Sequence, residues 1–167
     1  MSKKFYGSLN NRFDEGQMFV KKIEVGTGVT EYGYSDRHPY EVVEVVNQKH
    51  IFIRAMESKR IDNNGMSDCQ EYEYIRNTNN PKIELVLRNN VWFKVVEYNK
   101  DLFLRRAENI KDDFKDHNIN KAYSYVRYMA HLTEDQYKRI DEGKTVKKYT
   151  KMNISFGIMQ EYFDYSF

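Results

Sequence analysis

The sequence contains a single cysteine, Cys69, and this scarcity excludes two kinds of stabilisation at once. One thiol cannot form a disulfide within the chain, and it cannot supply the several ligands of a cysteine-rich zinc cluster. A chain of 167 residues is long enough to bury a hydrophobic core instead. The chain length therefore predicts one folded domain, and the single cysteine fits a reducing cytoplasm.

Long apolar runs and a large net charge are also missing. No stretch has the length of a membrane span, and the start, Met-Ser-Lys-Lys-Phe, is not followed by the apolar core of a signal peptide. The 27 basic and 25 acidic residues leave a formal charge of +2, too small for the whole surface to bind nucleic acid. We therefore expect a cytoplasmic protein with no membrane partner, whose contacts with nucleic acid, if it has any, are local.

Signatures of catalysis and of metal binding are absent as well. The four histidines are scattered, and no HExxH pattern occurs. Residues 62–65 resemble the start of a calcium loop, but acidic ligands do not continue at the required spacing. Neither Ser35 nor Cys69 lies in a nucleophile motif. The sequence predicts no metal and no cofactor, and it favours a binding protein over an enzyme.

Alternating apolar residues over 17–97 predict strands. Ile51, Ile53 and Ala55 share one side of a strand, and a period of two recurs farther along the chain. Two-residue connections with Asn, at 47–48 and 89–90, favour tight hairpins. About seven such strands indicate a strongly bent antiparallel sheet or a small barrel.

Trp92 lies in one of these strands. Val91, Phe93 and Val95 form the more uniformly apolar face, so we expect them to face the core. Trp92 is then expected on the other face, covered by the C-terminal aromatic residues or by helices. The C-terminal segment carries too many rings to be left in water, and docking on the sheet is favoured over docking on a second subunit.

After Asn99 the apolar period becomes helical. The residues that repeat at this spacing predict two amphipathic helices with inward faces: Phe103, Ala107, Ile110 and Phe114, then Ile119, Ala122, Val126 and Met129. Thr133 and Gln136 match a capping box, and Gly143 can end the helix that follows. The predicted class is therefore α+β and β-rich, with a helical insertion in the C-terminal half.

One local run of basic residues follows these helices: Lys144, Lys147, Lys148 and Lys151. Lysines that protect an exposed strand edge explain this run, and a contact to phosphate or an acidic partner is the alternative.

Two polar loops, 35–40 and 62–70, carry the side chains best suited to a ligand. They are separated by a hairpin, so we expect them to meet at one rim of the sheet. Arginine can hold an anion with its planar fork, and the amides add directional hydrogen bonds. Eight residues form this predicted site: Asp36, Arg37, His38, Tyr40, Asn63, Asn64, Ser67 and Gln70.

The alternative for these loops is purely structural. Asp36 would cap its turn, and Arg37 would pair with an acid such as Glu71 or Glu73. A third interpretation is an enzyme acting on a nucleotide or nucleic acid, with His38 as acid or base and Asp36 orienting it.

Taken together, several motifs resemble a family of small uncharacterised proteins encoded by bacteriophages and prophages. These are GTGVTEY at 26–32, SDRHPY at 35–40, DNNGMS with QEY at 62–72, Trp92, and an ending from SFG to DYSF. The resemblance covers 20–98 and 154–167. It implies a phage origin, a β-rich core formed by 17–98 plus 154–167, and a helical insertion at 99–153. It supplies no established activity.

The leading hypothesis is an intracellular phage protein that counters a host defence in the infected bacterium. It would sequester a nucleotide-like signal or inhibit a defence protein. The alternatives are the nucleotide-processing enzyme and a small-barrel module that docks nucleic acid or protein. Self-association is left open.

Overall fold

The computed structural model describes residues 22–66 and 69–164. Within these residues the α-helices are α1 (Lys100–Ile110), α2 (Ile119–Ala130) and α3 (Glu134–Asp141). The strands are β1 (Gly28–Tyr32), β2 (Arg37–Asn47), β3 (His50–Arg60), β4 (Tyr72–Arg76), β5 (Ile83–Arg88), β6 (Val91–Tyr98), β7 (Val146–Lys151) and β8 (Ile154–Phe156). The predicted class, a β-rich α+β fold with helices in the C-terminal half, is confirmed.

The strands form one antiparallel sheet in the order β7-β6-β5-β3-β2-β1-β8. Strand β3 is long enough for two partners: its first residues pair with β5, and Met56–Arg60 pair with β4. Two register shifts interrupt the pairing of β2 with β3, after Val42 and after Val45. Such irregularities increase twist and bend the strand that carries them.

A two-residue connection shows how strongly the sheet bends. Met152 donates its backbone N–H to Trp92 O at 3.0 Å, and Asn153 O accepts from Tyr32 N at 2.8 Å. Trp92 belongs to β6 and Tyr32 to β1, which are separated by three strands in the sheet order. A flat sheet cannot bring both strands against two adjacent residues, so the predicted strong bend is confirmed.

The chain divides into two compact units. The first contains the described residues of 1–94 and 150–167, and its core includes Ile51 and Ile53, which are fully buried as their alternation predicted. The other buried members of this core are Val29, Val42, Leu85, Trp92, Met152, Ile154 and Phe156.

The position of Trp92 corrects one prediction. Its indole is in the core and meets the Phe156 ring at a centroid distance of 5.4 Å, whereas Val91 and Phe93 are only half-buried. The expected cover by a C-terminal aromatic ring is confirmed, but the assignment of the core face is wrong for Trp92, Val91 and Phe93; only Val95 of the predicted inward set is buried. The large indole removes more apolar area from water than a valine does, so the inward position suits it better.

The Asn89–Asn90 hairpin has the predicted two-residue turn. Both residues have positive φ, 49° and 58°, as expected where Asn accepts a left-handed backbone. The earlier turn shifts by one residue to 48–49, because Asn47 remains in β2 and its Oδ1 accepts from Lys49 N at 2.8 Å.

The second unit is Val95–Tyr149. Thr133 and Gln136 form the predicted capping box, and Gly143 adopts a φ of 81° just beyond α3. The buried residues of this core are Tyr98, Phe103, Ala107, Ala122, Val126, Ala130, Ile140 and Val146.

Two expectations for this unit need correction. Met129 is 50% exposed, and Ala130 takes the inward position on the last turn of α2. The segment 99–153 is not wholly helical, since Val146–Lys151 forms β7. That this segment is an insertion stays a prediction. Among the described residues, no helix combines the length and the apolar character needed to cross a membrane.

Candidate functional site

Residues 158–164, here called the C-terminal strap, bring the two predicted loops together. Tyr162 forms an antiparallel bridge with Arg37, with backbone hydrogen bonds of 3.0 and 3.2 Å. Asp164 N donates to Asp36 Oδ1 at 3.0 Å, and the adjacent Phe163 is held by Gln70. Both loops therefore contact neighbouring residues of the strap, and it is this segment of the protein, with no ligand needed, that joins them.

Gln70 binds the strap as a neighbouring strand would. Its Nε2 donates to Phe163 O at 2.7 Å, and its Oε1 accepts from Phe163 N at 3.1 Å. The same Oε1 accepts from Tyr72 Oη at 2.8 Å. One amide thus satisfies both backbone groups of Phe163.

Arg37 is engaged by the strap as well. Its Nη1 donates to Gln160 Oε1 at 3.0 Å, and the guanidinium carbon lies 5.4 Å from the ring centroid of Tyr162 and 5.9 Å from that of Tyr32. Arginine stacks readily on aromatic faces. The guanidinium is held by an amide and two rings, in place of the ion pair with Glu71 or Glu73 that the sequence left open.

The acid near His38 is different from the one expected. Its Nδ1 lies 3.6 Å from Glu161 Oε1, while Asp36 accepts from the Asp164 backbone. Tyr40 donates its hydroxyl to Glu31 Oε2 at 2.7 Å. Burial, and then this carboxylate, raise the pKa of Tyr40 well above its ordinary value. An acid–base pair of His38 and Asp36 therefore lacks the contact that would orient it.

The second loop is shaped by Asp62. Its carboxylate accepts two bonds from Arg60, at 2.7 and 2.8 Å, and one each from the backbone N–H groups of Asn64 and Glu71, both at 2.8 Å. The Arg60 contact, followed by the backbone donors, holds the pKa of Asp62 far below its usual range. Hydrogen bonds to the ionised form stabilise it, so this loop is built around a charged Asp62.

The amides of that loop have different environments. Asn64 Nδ2 donates to Cys69 O at 2.8 Å, which closes the loop, whereas the Asn63 side chain is exposed. Ser67 lies outside the described residues. For the predicted residues that are described, most polar contacts are internal, and their role in ligand binding stays a prediction.

Three of the four lysines of the basic run lie in β7, the strand at one end of the sheet order, and Lys144 precedes it. Lys144 pairs with Glu142 at 2.8 Å, Lys147 pairs with Glu97 at 3.0 Å, and Lys148 donates to Ala130 O at 2.7 Å. Lys151 is exposed. Three of the four ammonium groups thus have internal partners, and a contact of this run to phosphate stays a prediction.

A cavity of about 360 Å³ lies on the face of the sheet that carries Glu41 and Arg54. Its volume is within the range of small-molecule sites. Side chains alternate along a strand, so the Glu41 and Arg54 side chains are on the face opposite to that of the core residues Val42 and Ile53, although Val42 also borders the cavity. The cavity is lined by Val25, Gly26, Glu41, Val42, Val43, Arg54, Met56, Arg76, Asn77 and Thr78.

A buried carboxylate lies in this cavity. The Glu41 side chain is only 9% exposed, and it accepts from Arg76 Nε at 2.8 Å and from Arg76 Nη2 at 2.5 Å. The Arg76 side chain, in contrast, is 73% exposed. The hydrogen bonds to Glu41 raise the pKa of Arg76 above its usual value. The anion of this pair is fixed in the sheet, and the cation lies in solvent.

Arg54 supplies the second guanidinium. It is directly opposite Glu41 in the pairing of β2 with β3. Its Nε is buried and has no hydrogen-bond acceptor in the part of the chain that the structure describes. The Nε of Arg37 is in the same situation among the described residues, and buried donors of this kind are rare enough to call for an explanation. The sequence does hint at this site, because Glu41 interrupts a valine-rich strand, but pairing was needed to find Arg54 and Arg76.

Metal binding has no support in the described ranges, where no group of three or more His, Cys, Asp or Glu residues could hold an ion. Comparisons with protein-family models, with curated proteins and with solved structures each found no match.

Proposed function

We propose that this chain is a phage-encoded binding protein that sequesters a nucleotide-like signal of a host defence in the cytoplasm of the infected bacterium. The phage setting comes from the resemblance of the two loop motifs and the SFG ending. The choice of a small-molecule ligand comes from the cavity at Glu41.

One observation carries the proposal: the cavity is lined by Arg54, whose buried Nε has no acceptor among the described residues. A buried donor gains most from a ligand that brings its own acceptor, such as a phosphate or carbonyl oxygen. Two guanidinium groups face one carboxylate here, so the cavity favours an anionic ligand. Nucleotides combine anionic groups with several carbonyl and phosphate oxygens.

The test is ligand identification followed by titration. The purified protein is denatured, the released small molecules are identified by mass spectrometry, and the apoprotein is titrated with nucleotides by calorimetry. A ligand recovered unchanged is expected. Arg54→Ala should weaken its binding by about 10- to 100-fold, the effect of losing one charge-assisted hydrogen bond.

The matched control is Arg105→Ala, which removes an exposed guanidinium on α1 that does not line the cavity. Binding by the control should be unchanged. Equal binding by both variants, or the release of a chemically converted ligand, would contradict sequestration at this cavity.

A second candidate function, inhibition of a defence protein through docking, is favoured by the surface of α2. Tyr128 is 71% exposed, Met129 is 50% exposed and Tyr125 is 47% exposed. Exposed aromatic and methionine side chains are typical of protein-binding surfaces. Replacing Tyr128 and Met129 together with serine should leave nucleotide binding intact. It should abolish protection of a phage on a defence-carrying host only if docking is the function.

A further inference from the structure

The cavity at Glu41 presents hydrogen-bonding groups in a particular order. Glu41 offers two carboxylate oxygens, and Arg54, opposite it across β2 and β3, offers a buried N–H. Directly opposite residues of an antiparallel pair have Cβ atoms about 5 Å apart, so both groups can reach one ligand edge. The site therefore displays one donor beside two acceptors.

Arg76 indicates what kind of ligand the carboxylate accepts. Its planar fork places two parallel N–H groups on the two oxygens of Glu41, although the arginine side chain is largely in solvent. The Arg76 guanidinium lies in solvent, so this fork can swing away, but the buried carboxylate cannot be left unpaired. The carboxylate stays in the sheet and needs a replacement with the same pair of donors.

Guanine carries that pair of donors. Its ring N–H and its exocyclic amino group belong to a guanidine unit, the same arrangement that Arg76 presents. The carbonyl next to the ring N–H is an acceptor, which matches the N–H of Arg54. Adenine has the opposite order on this edge, with an amino donor beside a ring acceptor, so it would place donor against donor and acceptor against acceptor.

We infer that the cavity recognises the guanine base of a nucleotide, with Glu41 accepting from the ring N–H and the amino group and Arg54 donating to the carbonyl. Arg76 leaves Glu41 when the base enters. This inference rests on the proposed function and narrows the ligand class to guanine nucleotides.

A series of monophosphates with the same ribose and phosphate tests the base preference on the unmodified protein. Guanosine monophosphate should bind best by calorimetry. Inosine monophosphate, which lacks the amino group, should bind about tenfold or more weakly, because one charge-assisted hydrogen bond is lost. Adenosine monophosphate should bind about 100-fold or more weakly. Its amino group, a donor, would face the Arg54 N–H, and its ring nitrogen, an acceptor, would face the Glu41 carboxylate.

The variant Glu41→Gln provides a change of specificity that a merely damaged site cannot produce. A glutamine amide has one acceptor and one donor. Xanthine has a carbonyl where guanine has its amino group, so the variant should prefer xanthosine monophosphate to guanosine monophosphate. The matched control, Glu44→Gln, lies on the same strand, is exposed, does not line the cavity, and should keep the guanine preference.

The outcomes separate the two proposals. Tight but equal binding of the guanine, hypoxanthine and adenine monophosphates would overturn guanine recognition and leave nucleotide sequestration standing. Binding of none of them would overturn both. A guanine preference that Glu41→Gln leaves unaltered, in a variant that still unfolds cooperatively, would place base recognition elsewhere.

Discussion

The Gln70 amide offers a direct test of whether the polar loops serve the scaffold. Gln70→Ala removes two hydrogen bonds to the Phe163 backbone and one from Tyr72. The bonds to Phe163 are at the surface, so each contributes at the low end of the usual range, about 0.5 kcal/mol. With a similar loss at Tyr72, the total is about 1.5 kcal/mol. For a chain of this size, that corresponds to a fall in Tm of about 3–6 °C.

The assay combines thermal unfolding with amide hydrogen exchange of the peptide that contains the strap. Loss of the Gln70 contacts should speed exchange at Phe163, whose N–H donates to Gln70 Oε1, before it changes exchange in β3. Asn63→Ala is the matched control, because this amide lies in the same loop, is exposed, and has no hydrogen bond among the described residues. Asn63→Ala should change the free energy of unfolding by less than about 0.5 kcal/mol, so its Tm should stay close to that of the unmodified protein.

The reasoning fails if Gln70→Ala and Asn63→Ala have the same Tm and the same exchange in the strap. In that case the contact seen between Gln70 and Phe163 does not stabilise the protein, and Gln70 would again be available to a ligand.

Three further predictions concern the loop acid, a turn and a helix cap. Asp62 has a folded pKa below its unfolded value of about 3.9. It therefore stabilises the protein above that pH, and this contribution is lost as the pH falls toward the folded pKa. Asp62→Asn should make the midpoint of urea unfolding decline less steeply over that acidic range. Asn90→Val should destabilise by about 1–2 kcal/mol, because a β-branched residue resists the φ of 58°, whereas Asn90→Gly should be neutral or better in the same urea titration. Thr133→Ala should cost about 1 kcal/mol by removing the N-cap acceptor of α3, and an unchanged denaturation midpoint would show that this end of the helix is frayed in solution.

Strand β3 shows how far sequence patterns reach. Its alternation predicted that Ile51 and Ile53 face the core, and both are fully buried. The same alternation places Arg54 on the other face, but it says nothing of which strand lies opposite. Glu41 is 13 positions earlier in the sequence, and only the register of β2 with β3 makes it the neighbour of Arg54.

By itself, the sequence determined the features that depend on near neighbours in the chain. The period of two, the period of the helices, the paired asparagines of a hairpin and the capping box at Thr133 each act within a few residues, so local sterics and hydrogen bonding settle them. Tertiary structure decided everything that requires distant segments to meet. The strap satisfies Asp36, Arg37 and Gln70 from more than 90 residues away in the chain, and Arg76 reaches Glu41 across 35 residues. Such pairings follow from the bend and register of the whole sheet. Both are set by packing throughout the core, and no local sequence pattern predicts them.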